Sequence, residues 1–355
     1  MNGYKAKASR TVGMDRQRRL IEAQERHAQY DRYNQDYDKA PLCAGAVGWS
    51  GLYQRANPIM TSTTRLDMTA VWSLWTTPLP ESKWAETLKM LALSVEVARP
   101  QFRDCVLVTD RRGRHLLVDQ LGLEFDAILV DLDGELADLS PHWWAAGKLA
   151  AYRIMAERGR PFIHIDNDLF WWTVPPGIES KAVIAQNFEY TDQHSAPENN
   201  AYDLDRFTTF ASRHCIDLPP AWRWAEQEFG MHRRAVNCGV FGGNDSAFIK
   251  NYATQALSLI TRTPFRSFYD EAAPRRGDAC VFEQWFLDAL ACFHGIDVFV
   301  VYDSLEAAHD VTVTDMTHLL GPNSKTAPEN VRAVDAILAR DYPAIWGRPC
   351  RLKGK

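Results

Sequence analysis

Apolar runs of strand length alternate with amphipathic helical stretches over most of the chain after residue 68. The first run covers residues 68–75, and apolar side chains then recur at helical spacing from Trp84 to Ala98. The first pattern is typical of a buried strand, and the second of a helix with one face on the core. The same patterns predict further strands at 105–110, 125–132, 162–165, 182–187, 235–243 and 298–302. They predict further helices at 115–121, 141–157, 248–260, 278–293 and 331–340.

Strands that alternate with helices favour βαβ units. We therefore expect an α/β fold, Rossmann-like, with a mostly parallel mixed sheet flanked by helices. Two internal segments differ from this pattern. Residues 190–235 are polar and interrupted by prolines, which predicts an insertion over one sheet edge with a single aromatic helix around Trp222 and Trp224. Residues 261–277 are charged and rich in helix breakers, which predicts a mobile loop.

The two ends of the chain are expected to lie outside the main domain. Residues 1–60 are highly charged and contain too few apolar side chains for a core of their own, so we expect a helical or flexible N-terminal extension. The α/β domain is predicted to span residues 61–330. Residues 331–355 are predicted to form a C-terminal helix and a tail.

Composition narrows the class of protein. The chain has 355 residues, 46% of them hydrophobic and 24% charged, as in a globular domain with a sizeable core. A net charge of -5 argues against a nucleic-acid partner, which needs a basic surface. The seven cysteines form no Cys-x-x-Cys pair, so neither a disulfide scaffold nor a zinc site is indicated. We expect a cytoplasmic protein without a transmembrane segment, because no apolar run approaches the roughly 20 residues of a membrane-spanning helix.

Two carboxylates directly follow the apolar strand at 162–165. They are Asp166 and Asp168, with Asn167 between them. In open α/β sheets ligands bind beyond the carboxyl ends of the strands. Carboxylate oxygens suit Mg²⁺ or Mn²⁺, particularly where substrate phosphates complete the coordination. The pattern therefore predicts a metal site, and its alternative is an acidic strand-to-loop junction that faces water.

Other polar residues are predicted to reach the same sheet edge. Lys148 lies on the helix that precedes Asp166, and a helix running away from the edge followed by a returning strand brings both residues back to it. The alternative for Lys148 is a solvated lysine whose stem covers aromatic rings. An asparagine and a glycine inside a strand suggest close backbone approach to another group. The further candidates are Trp75, Thr76, Asp110, Asn237, Gly239, Glu283, Gln284, His318, Gly321 and Lys325.

Four of these motifs together resemble the GT-A glycosyltransferases, most closely the retaining family 8 that includes glycogenin and bacterial galactosyltransferases. The motifs are Asp166-x-Asp168, Asn237-x-Gly239, Glu283-Gln284 and His318-x-x-Gly321-x-x-x-Lys325. The runs at 70–75 and 161–168 are also similar to a bacterial glycosyltransferase-like family of unassigned function. The resemblance covers roughly residues 68–330. The chain departs from family 8 in three places. Glu283 stands where that family usually has Asp, and the segment from His318 to Lys325 is longer by one residue. No Pro-Trp pair follows Lys325.

The resemblance implies a GT-A fold and transfer of a hexose from a nucleotide sugar, UDP-linked in that family, to an acceptor that it does not identify. It implies a Mn²⁺ or Mg²⁺ ion held by Asp166, Asp168 and His318. It assigns catalysis to Gln284, Glu283 and Asp168. The residues that it places around the nucleotide sugar are Trp75, Thr76, Asp110, Lys148, Asn167, Asn237, Gly239, Gly321 and Lys325.

Stereochemistry depends on which group at 283–284 acts. Glu283 as a base would give inversion, and Glu283 as a nucleophile would give retention through a covalent intermediate. The family resemblance implies a third route, in which the departing phosphate takes the acceptor proton and Gln284 stabilises the cationic sugar. We expect retention by this route.

Three other functions remain open. A haloacid-dehalogenase-type phosphatase also places Asp-x-Asp at a strand end, but it expects Thr or Val where this chain has Phe170. A nucleotidyltransferase expects a glycine-rich basic loop after the first strand, and none follows residues 68–75. A catalytically silent nucleotide-sugar-binding protein is the third alternative, against which the intact candidate residues argue.

Overall fold

The computed structural model describes residues 65–79, 81–192, 202–229, 232–275, 277–303, 315–319 and 321–347. All of them belong to the compact unit Val47–Lys355. The predicted extension at residues 1–60 and the last residues of the predicted tail lie outside the described residues.

The described elements alternate between strands and helices over most of their length. The strands are β1 (Leu66–Leu74), β2 (Phe102–Thr109), β3 (Ala127–Leu129), β4 (Phe162–Ile165), β5 (Leu169–Trp171), β6 (Val183–Ala185), β7 (Phe188–Asp192), β8 (His232–Val236), β9 (Val240–Gly243), β10 (Val298–Val300) and β11 (Met316–His318). The α-helices are α1 (Trp84–Ala98), α2 (Arg111–Arg114), α3 (Leu132–Glu135), α4 (Ala146–Glu157), α5 (Leu204–Arg213), α6 (Pro220–Phe229), α7 (Ser246–Arg262), α8 (Phe268–Glu271), α9 (Asp278–Cys280), α10 (Phe286–His294), α11 (Gly321–Thr326), α12 (Pro328–Asp341) and α13 (Pro343–Trp346).

Two π-helical segments and four short 3-10 turns complete the secondary structure of the described residues. His115–Gln120 continues α2 as a π-helix, and Val281–Trp285 joins α9 to α10 in the same way. Residues 278–294 therefore form one helix with a π-helical segment inside it, and they are called the 278–294 helix below. The 3-10 turns are Glu81–Lys83, Arg99–Gln101, Ile178–Ser180 and Pro264–Ser267.

The main sheet has seven strands in the order β10-β6-β9-β4-β1-β2-β3. Strand β1 lies parallel to β2 and β4, β2 lies parallel to β3, and β10 lies parallel to β6. Only β9 is reversed, since it pairs antiparallel with both β4 and β6. The expected α/β fold with a mostly parallel mixed sheet flanked by helices is confirmed.

Both faces of the sheet are covered, so its central strands are apolar throughout rather than alternating. Within β1, Val71 faces a core shared with α4, α7 and the 278–294 helix. Its neighbours Ala70 and Trp72 face the opposite core, shared with α1 and α12. Successive strand residues point to opposite faces. The apolar run at 68–75 therefore belongs to two cores at once.

Several predicted elements differ from the observed ones. The helix predicted from residue 141 begins at Ala146, and the strand predicted at 235–243 is divided into β8 and β9. The prediction of a single helix within 190–235 is wrong, because α5 and α6 both form there. The prediction of a mobile loop at 261–277 is wrong at Phe265 and Phe268, both of which are buried in short helical turns. Their rings pack with Phe207 of α5, and this aromatic cluster orders a segment whose charge suggested a loop.

Two antiparallel ribbons lie beside the main sheet. One pairs β5 with β11, and the other pairs β7 with β8. Both ribbons contain residues close to the carboxyl end of β4. Within the described residues, no helix combines the length and apolar character that crossing a membrane requires.

Candidate functional site

Asp166 and Asp168 lie in a tight turn at the carboxyl end of β4. The Asp166 amide donates a hydrogen bond to the Gly239 carbonyl at 2.8 Å, which extends the β4–β9 pairing by one residue. The Leu169 amide then donates to the Asp166 carbonyl at 3.1 Å. This bond closes the turn before β5 begins. The turn brings two carboxylates separated by one residue to the same side of the chain.

His318 reaches the same point from the far end of the sequence. It lies at the end of β11, opposite Leu169 in the antiparallel ribbon with β5. The Leu319 amide donates to the Asp168 carbonyl at 3.1 Å and so fixes the ribbon next to the turn. Backbone pairing, rather than a side-chain contact alone, therefore positions the imidazole beside the two carboxylates.

The three side chains have the geometry of a metal site. His318 Nε2 lies 3.8 Å from Asp166 Oδ2 and 3.7 Å from Asp168 Oδ1. One potential ligand atom from each residue lies within 4.8 Å of the other two. Ligands on opposite sides of an ion with bonds of 2.0–2.1 Å are about 4 Å apart, so small adjustments fit all three around one ion. The two carboxylates suit Mn²⁺ or Mg²⁺ when phosphate oxygens fill the remaining positions, while the imidazole is a ligand more typical of softer divalent metals.

Gln186 orients the His318 ring and was not among the residues predicted from the sequence. Gln186 is fully buried just beyond β6, and its Oε1 lies 2.7 Å from His318 Nδ1. When the Nδ1–H donates to this oxygen, the Nε2 lone pair faces the carboxylates, as a metal-ligating histidine requires. The polar pair that ends the apolar run at 182–187 is the signal that could have identified this residue.

Gly239 provides the space for this contact. A Cβ atom at this position would lie 2.2 Å from Gln186 Oε1 and 2.4 Å from His318 Cε1. The expected close approach at Gly239 is therefore made by two side chains, and any larger residue would push them out of place.

Lys325 neutralises one carboxylate of the site. Its Nζ lies 2.6 Å from Asp168 Oδ2. Burial raises the pKa of Asp168, but the Lys325 ammonium and the His318 ring outweigh this effect and lower the pKa overall. Burial likewise lowers the pKa of Lys325, and Asp168 more than offsets it. Both groups are therefore charged at neutral pH, and Lys325 places a cation directly beside the candidate metal ligands.

Lys148 is buried in the floor of the site, so the alternative of a solvated lysine is wrong. Its Nζ lies 2.7 Å from Asp166 Oδ1 and 2.5 Å from Glu283 Oε1, and it donates to the Cys238 carbonyl at 2.9 Å. Burial lowers the pKa of Lys148, but Asp166 and Glu283 outweigh burial and raise it. The ammonium therefore stays charged and links the two carboxylates.

Glu283 is fully enclosed. The Tyr152 hydroxyl donates to its Oε1 at 3.1 Å, and the Tyr252 hydroxyl donates to its backbone carbonyl. Burial raises the pKa of Glu283 more than Lys148 lowers it. The Glu283 carboxylate is therefore a buried counter-ion of Lys148 and is not accessible to solvent.

A row of polar side chains continues from the neighbouring Gln284. The Tyr202 hydroxyl lies 2.5 Å from Gln284 Oε1 and 2.7 Å from Glu189 Oε2. Asn237 Nδ2 donates to Glu189 Oε1 at 2.5 Å, and Asn237 Oδ1 accepts from the Gly239 amide at 2.8 Å. Glu189 and Tyr202 were not identified from the sequence. Tyr202 lies in the segment 190–235 that was interpreted as an insertion, and Glu189 directly precedes that segment.

Three other predicted residues form local contacts at neighbouring strand ends. Asp110 Oδ2 accepts from the Thr76 amide at 2.6 Å and from the Thr76 hydroxyl at 2.8 Å, while its Oδ1 caps α2 by accepting from the Gly113 amide. Asn167 Nδ2 donates to the Ser73 carbonyl at 3.1 Å. These hydrogen bonds join the ends of β1, β2 and β4.

Trp75 and Gly321 lie at the margins of the described site. Trp75 packs against the start of α4, where a Cβ at Gly147 would come within 2.7 Å of the Trp75 Cβ. Gly321 is the first residue of α11, the short helix that contains Lys325. Their assignment to nucleotide binding stays a prediction.

The solved structures that are similar to this chain include two glycosyltransferases. A crystal structure of the galactosyltransferase LgtC in complex with donor and acceptor sugar analogs is 15% identical, with a TM-score of 0.36, and covers 77% of this chain and 96% of that chain. A crystal structure of mouse xyloside xylosyltransferase 1 in its apo form is 12% identical, with a TM-score of 0.33, and covers 71% of this chain and 97% of that chain. At TM-scores this low, neither similarity decides the fold or the activity of this chain.

In sequence, no curated protein matches the chain. A family model does match it, over residues 73–352. The match includes β4, β11 and the whole of the site described above, and it extends over most of the chain. The chain therefore belongs to the family of unknown function DUF6734.

Proposed function

We propose that the protein is a metal-dependent glycosyltransferase of the GT-A type, which transfers a hexose from a UDP-linked sugar to an acceptor with retention of configuration. The observation that carries the proposal is the cluster of Asp166, Asp168 and His318 at the carboxyl end of β4. It combines a candidate divalent-cation site with a lysine, Lys325, at the position where strands of an open α/β sheet bind ligands. The motif resemblance to family 8 supports the same reaction.

Each charged group has a defined part in this proposal. Asp166, Asp168 and His318 would hold a divalent ion, which as a Lewis acid supplies charge stabilisation to the departing diphosphate. Lys325 adds a second positive charge beside Asp168, where phosphate oxygens would complete the coordination. Lys148 keeps the two nearby carboxylates, Asp166 and Glu283, from repelling each other. The result is a cationic site for a nucleoside diphosphate.

The burial of Glu283 favours the route in which the departing phosphate acts as the base and the anomeric configuration is retained. A fully buried carboxylate held by Lys148 and Tyr152 is poorly placed to attack a sugar or to receive the proton of an acceptor hydroxyl. Gln284 is half-buried, but an amide is neither a base nor an effective nucleophile. The departing phosphate oxygen would then take the acceptor proton on the same face of the sugar. The new bond to the anomeric carbon forms on the side where the old one breaks.

The first test is binding of UDP and Mn²⁺. A ligand at 100 times its dissociation constant stabilises the folded protein by about 2.7 kcal/mol, so UDP with Mn²⁺ should raise the melting temperature. Asp166→Ala and Asp168→Ala should abolish Mn²⁺-dependent UDP binding in titration calorimetry and leave the fold intact. Asp67→Ala is the matched control, because Asp67 forms an exposed ion pair with Arg103. Unchanged UDP affinity in both site variants would contradict the proposal.

A panel of nucleotide sugars then separates the alternatives. The proposed enzyme should slowly hydrolyse one donor in the presence of Mn²⁺ without any acceptor. A haloacid-dehalogenase-type phosphatase should hydrolyse a generic phosphate ester with Mg²⁺ instead. A catalytically silent binding protein should bind UDP with Mn²⁺ and turn over none of the donors.

The anomeric configuration of the first product tests retention. Proton NMR of the fresh product gives the coupling constant at the anomeric carbon, and we expect the configuration of the donor. Gln284→Ala should reduce turnover moderately, while Asp168→Ala should reduce it severely because it removes a metal ligand. Opposite configurations in donor and product would refute retention.

A further inference from the structure

The Tyr202 hydroxyl lies between two oxygen atoms, and each of them can accept a hydrogen bond. Its oxygen is 2.7 Å from Glu189 Oε2 and 2.5 Å from Gln284 Oε1. A phenol has a single proton, so it cannot donate a strong hydrogen bond to both. Burial raises the pKa of Tyr202 well above its ordinary value, and Glu189 raises it further, so the phenol keeps that proton. One of the two short contacts must therefore obtain its proton from elsewhere.

Glu189 is the acceptor that the surrounding residues select. Its second oxygen, Oε1, already accepts from Asn237 Nδ2 at 2.5 Å. An ionised carboxylate can only accept, so the Tyr202 proton goes to Glu189 Oε2. The Gln284 amide, in contrast, has both a donor and an acceptor end, and a half-turn about its last side-chain bond exchanges them. With its NH₂ group towards Tyr202, every short contact in the row has one donor and one acceptor.

We propose that Tyr202 and Glu189 are positioning residues that fix the orientation of the Gln284 amide, with its NH₂ group on the Tyr202 oxygen and its carbonyl oxygen turned to the open side of the site. The order of donation is from Gln284 Nε2 to Tyr202, and from Tyr202 to Glu189. Asn237 fixes the far end of the row, because its own Oδ1 is occupied by the Gly239 amide. The row thus begins at the strand break beside the candidate metal ligands and ends at Gln284.

This orientation has a consequence for the reaction, and it rests on the proposed function. Positive charge develops on the anomeric carbon as the sugar leaves a diphosphate. A carbonyl oxygen that faces this carbon stabilises the charge, whereas an NH₂ group in its place would repel it. A preorganised dipole costs no reorientation during the reaction. Tyr202 and Glu189 would therefore affect the rate without touching the sugar.

The experiment compares Tyr202→Phe with the wild-type protein. Removing one hydroxyl leaves the aromatic ring in place but frees the amide to rotate. We expect donor hydrolysis to fall about tenfold in kcat, with the UDP affinity in the presence of Mn²⁺ unchanged. In a Gln284→Ala background the same substitution should cause no further loss, because Tyr202 acts only through Gln284. Additive losses in the double variant would overturn the proposal.

Glu189→Gln tests the direction of the hydrogen bonds. The new amide has the shape of Glu189, and its oxygen can still accept from Asn237. Its NH₂ group would then donate to the Tyr202 oxygen and turn the Tyr202 proton towards Gln284. This reverses the Gln284 amide, so kcat should fall at least as far as in Tyr202→Phe. Wild-type turnover in Glu189→Gln would overturn the proposed order of donation.

Thr261→Val is the matched control for loss of a buried hydroxyl. The Thr261 hydroxyl donates to the Leu257 carbonyl at 2.7 Å within α7, and Thr261 belongs to neither the metal site nor the polar row. Its kcat should equal that of the wild-type protein. Melting temperatures of all variants identify any loss that comes from unfolding.

A spectroscopic readout tests the orientation without any turnover. In protein labelled with ¹⁵N-glutamine, the Gln284 side-chain signal is identified by its loss in Gln284→Ala. One of its amide protons should be shifted downfield by the hydrogen bond to Tyr202, and Tyr202→Phe should remove that shift. An unchanged signal would overturn the assigned orientation. If the wild-type protein turns over no nucleotide sugar while the shift behaves as expected, the proposed function fails and the orientation stands.

Discussion

The metal-ligating ability of His318 depends on residues that do not touch the metal position. Gln186 holds the ring through Nδ1, and Gly239 leaves the space in which the two side chains meet. A histidine can ligate a metal through Nε2 only when that nitrogen carries no proton. The buried amide oxygen of Gln186 favours this form, because it accepts a hydrogen bond from Nδ1–H and leaves the Nε2 lone pair facing the carboxylates.

We predict that Gln186→Ala weakens Mn²⁺ binding by roughly tenfold to a hundredfold, the range for loss of a hydrogen bond that orients a ligating histidine. Gln186→Glu should keep most of the affinity, since a carboxylate oxygen also accepts from Nδ1–H. Electron paramagnetic resonance of free Mn²⁺ measures the dissociation constant directly. Gln255→Ala is the control, because this half-buried glutamine on α7 only forms a hydrogen bond with Asn251 on the same helix. Equal affinity in the wild-type protein and Gln186→Ala would show that the contact does not orient the ring.

At the scale of elements, one buried cation joins three parts of the chain. Lys148 is in the first turn of α4, Asp166 follows β4, and Glu283 lies in the π-helical segment of the 278–294 helix. The helix and the strand are consecutive, and the third element comes from much later in the sequence. Removing the cation would leave two buried or half-buried carboxylates without their counter-ion.

Lys148→Met should therefore lower the free energy of unfolding by about 3–5 kcal/mol, the cost of leaving a buried charge without its partner. Combining it with Glu283→Gln should recover part of the lost free energy of unfolding, because the amide removes one of the two carboxylate charges that have no counter-ion. Urea unfolding monitored by circular dichroism gives both values. The control is Lys250→Met, which breaks an exposed ion pair with Glu157 and should cost less than about 1 kcal/mol. A loss as small as the control's would mean that the buried pair contributes little.

At the scale of the whole molecule, the site lies where the two cores meet at one edge of the sheet. Strand β4 is central, and its side chains enter both cores: Phe162 lies in one and Ile163 in the other. Elements from both sides therefore converge beyond its carboxyl end. Residues 65–347 contain both of these cores and all the residues of the proposed site.

A chain that begins at residue 61 is predicted to fold and to hydrolyse the donor at the rate of the full chain. The reason is that the charged segment 1–60 has too few apolar residues to contribute a core of its own. Circular dichroism, thermal melting and donor hydrolysis measure the result. An insoluble or molten product would show that the segment is structural. Normal hydrolysis with loss of transfer to an acceptor would show instead that it recruits the acceptor.

Local sequence patterns were sufficient for the alternation of strands and helices and for the α/β class. The apolar run at 162–165, followed by Asp166 and Asp168, indicated a ligand-binding strand end without any tertiary information. This succeeded because a fully buried strand must be apolar along its whole length, and polar residues can begin only where it leaves the core. His318 and Lys325 were indicated by the resemblance to family 8, although the segment between them is one residue longer than in that family.

The side chains that contact those motifs could be identified only from the three-dimensional fold. Gln186, Glu189 and Tyr202 have no distinctive spacing in the chain, and nothing local indicates that they meet His318 or Gln284. Their roles arise from long-range strand pairing, in which β11 pairs with β5 and β8 pairs with β7. Which side chains could bind a metal and phosphates was predictable from the sequence, since that depends on residue type. The burial and the hydrogen bonds that orient those side chains depend on packing between distant segments, and only the fold decides them.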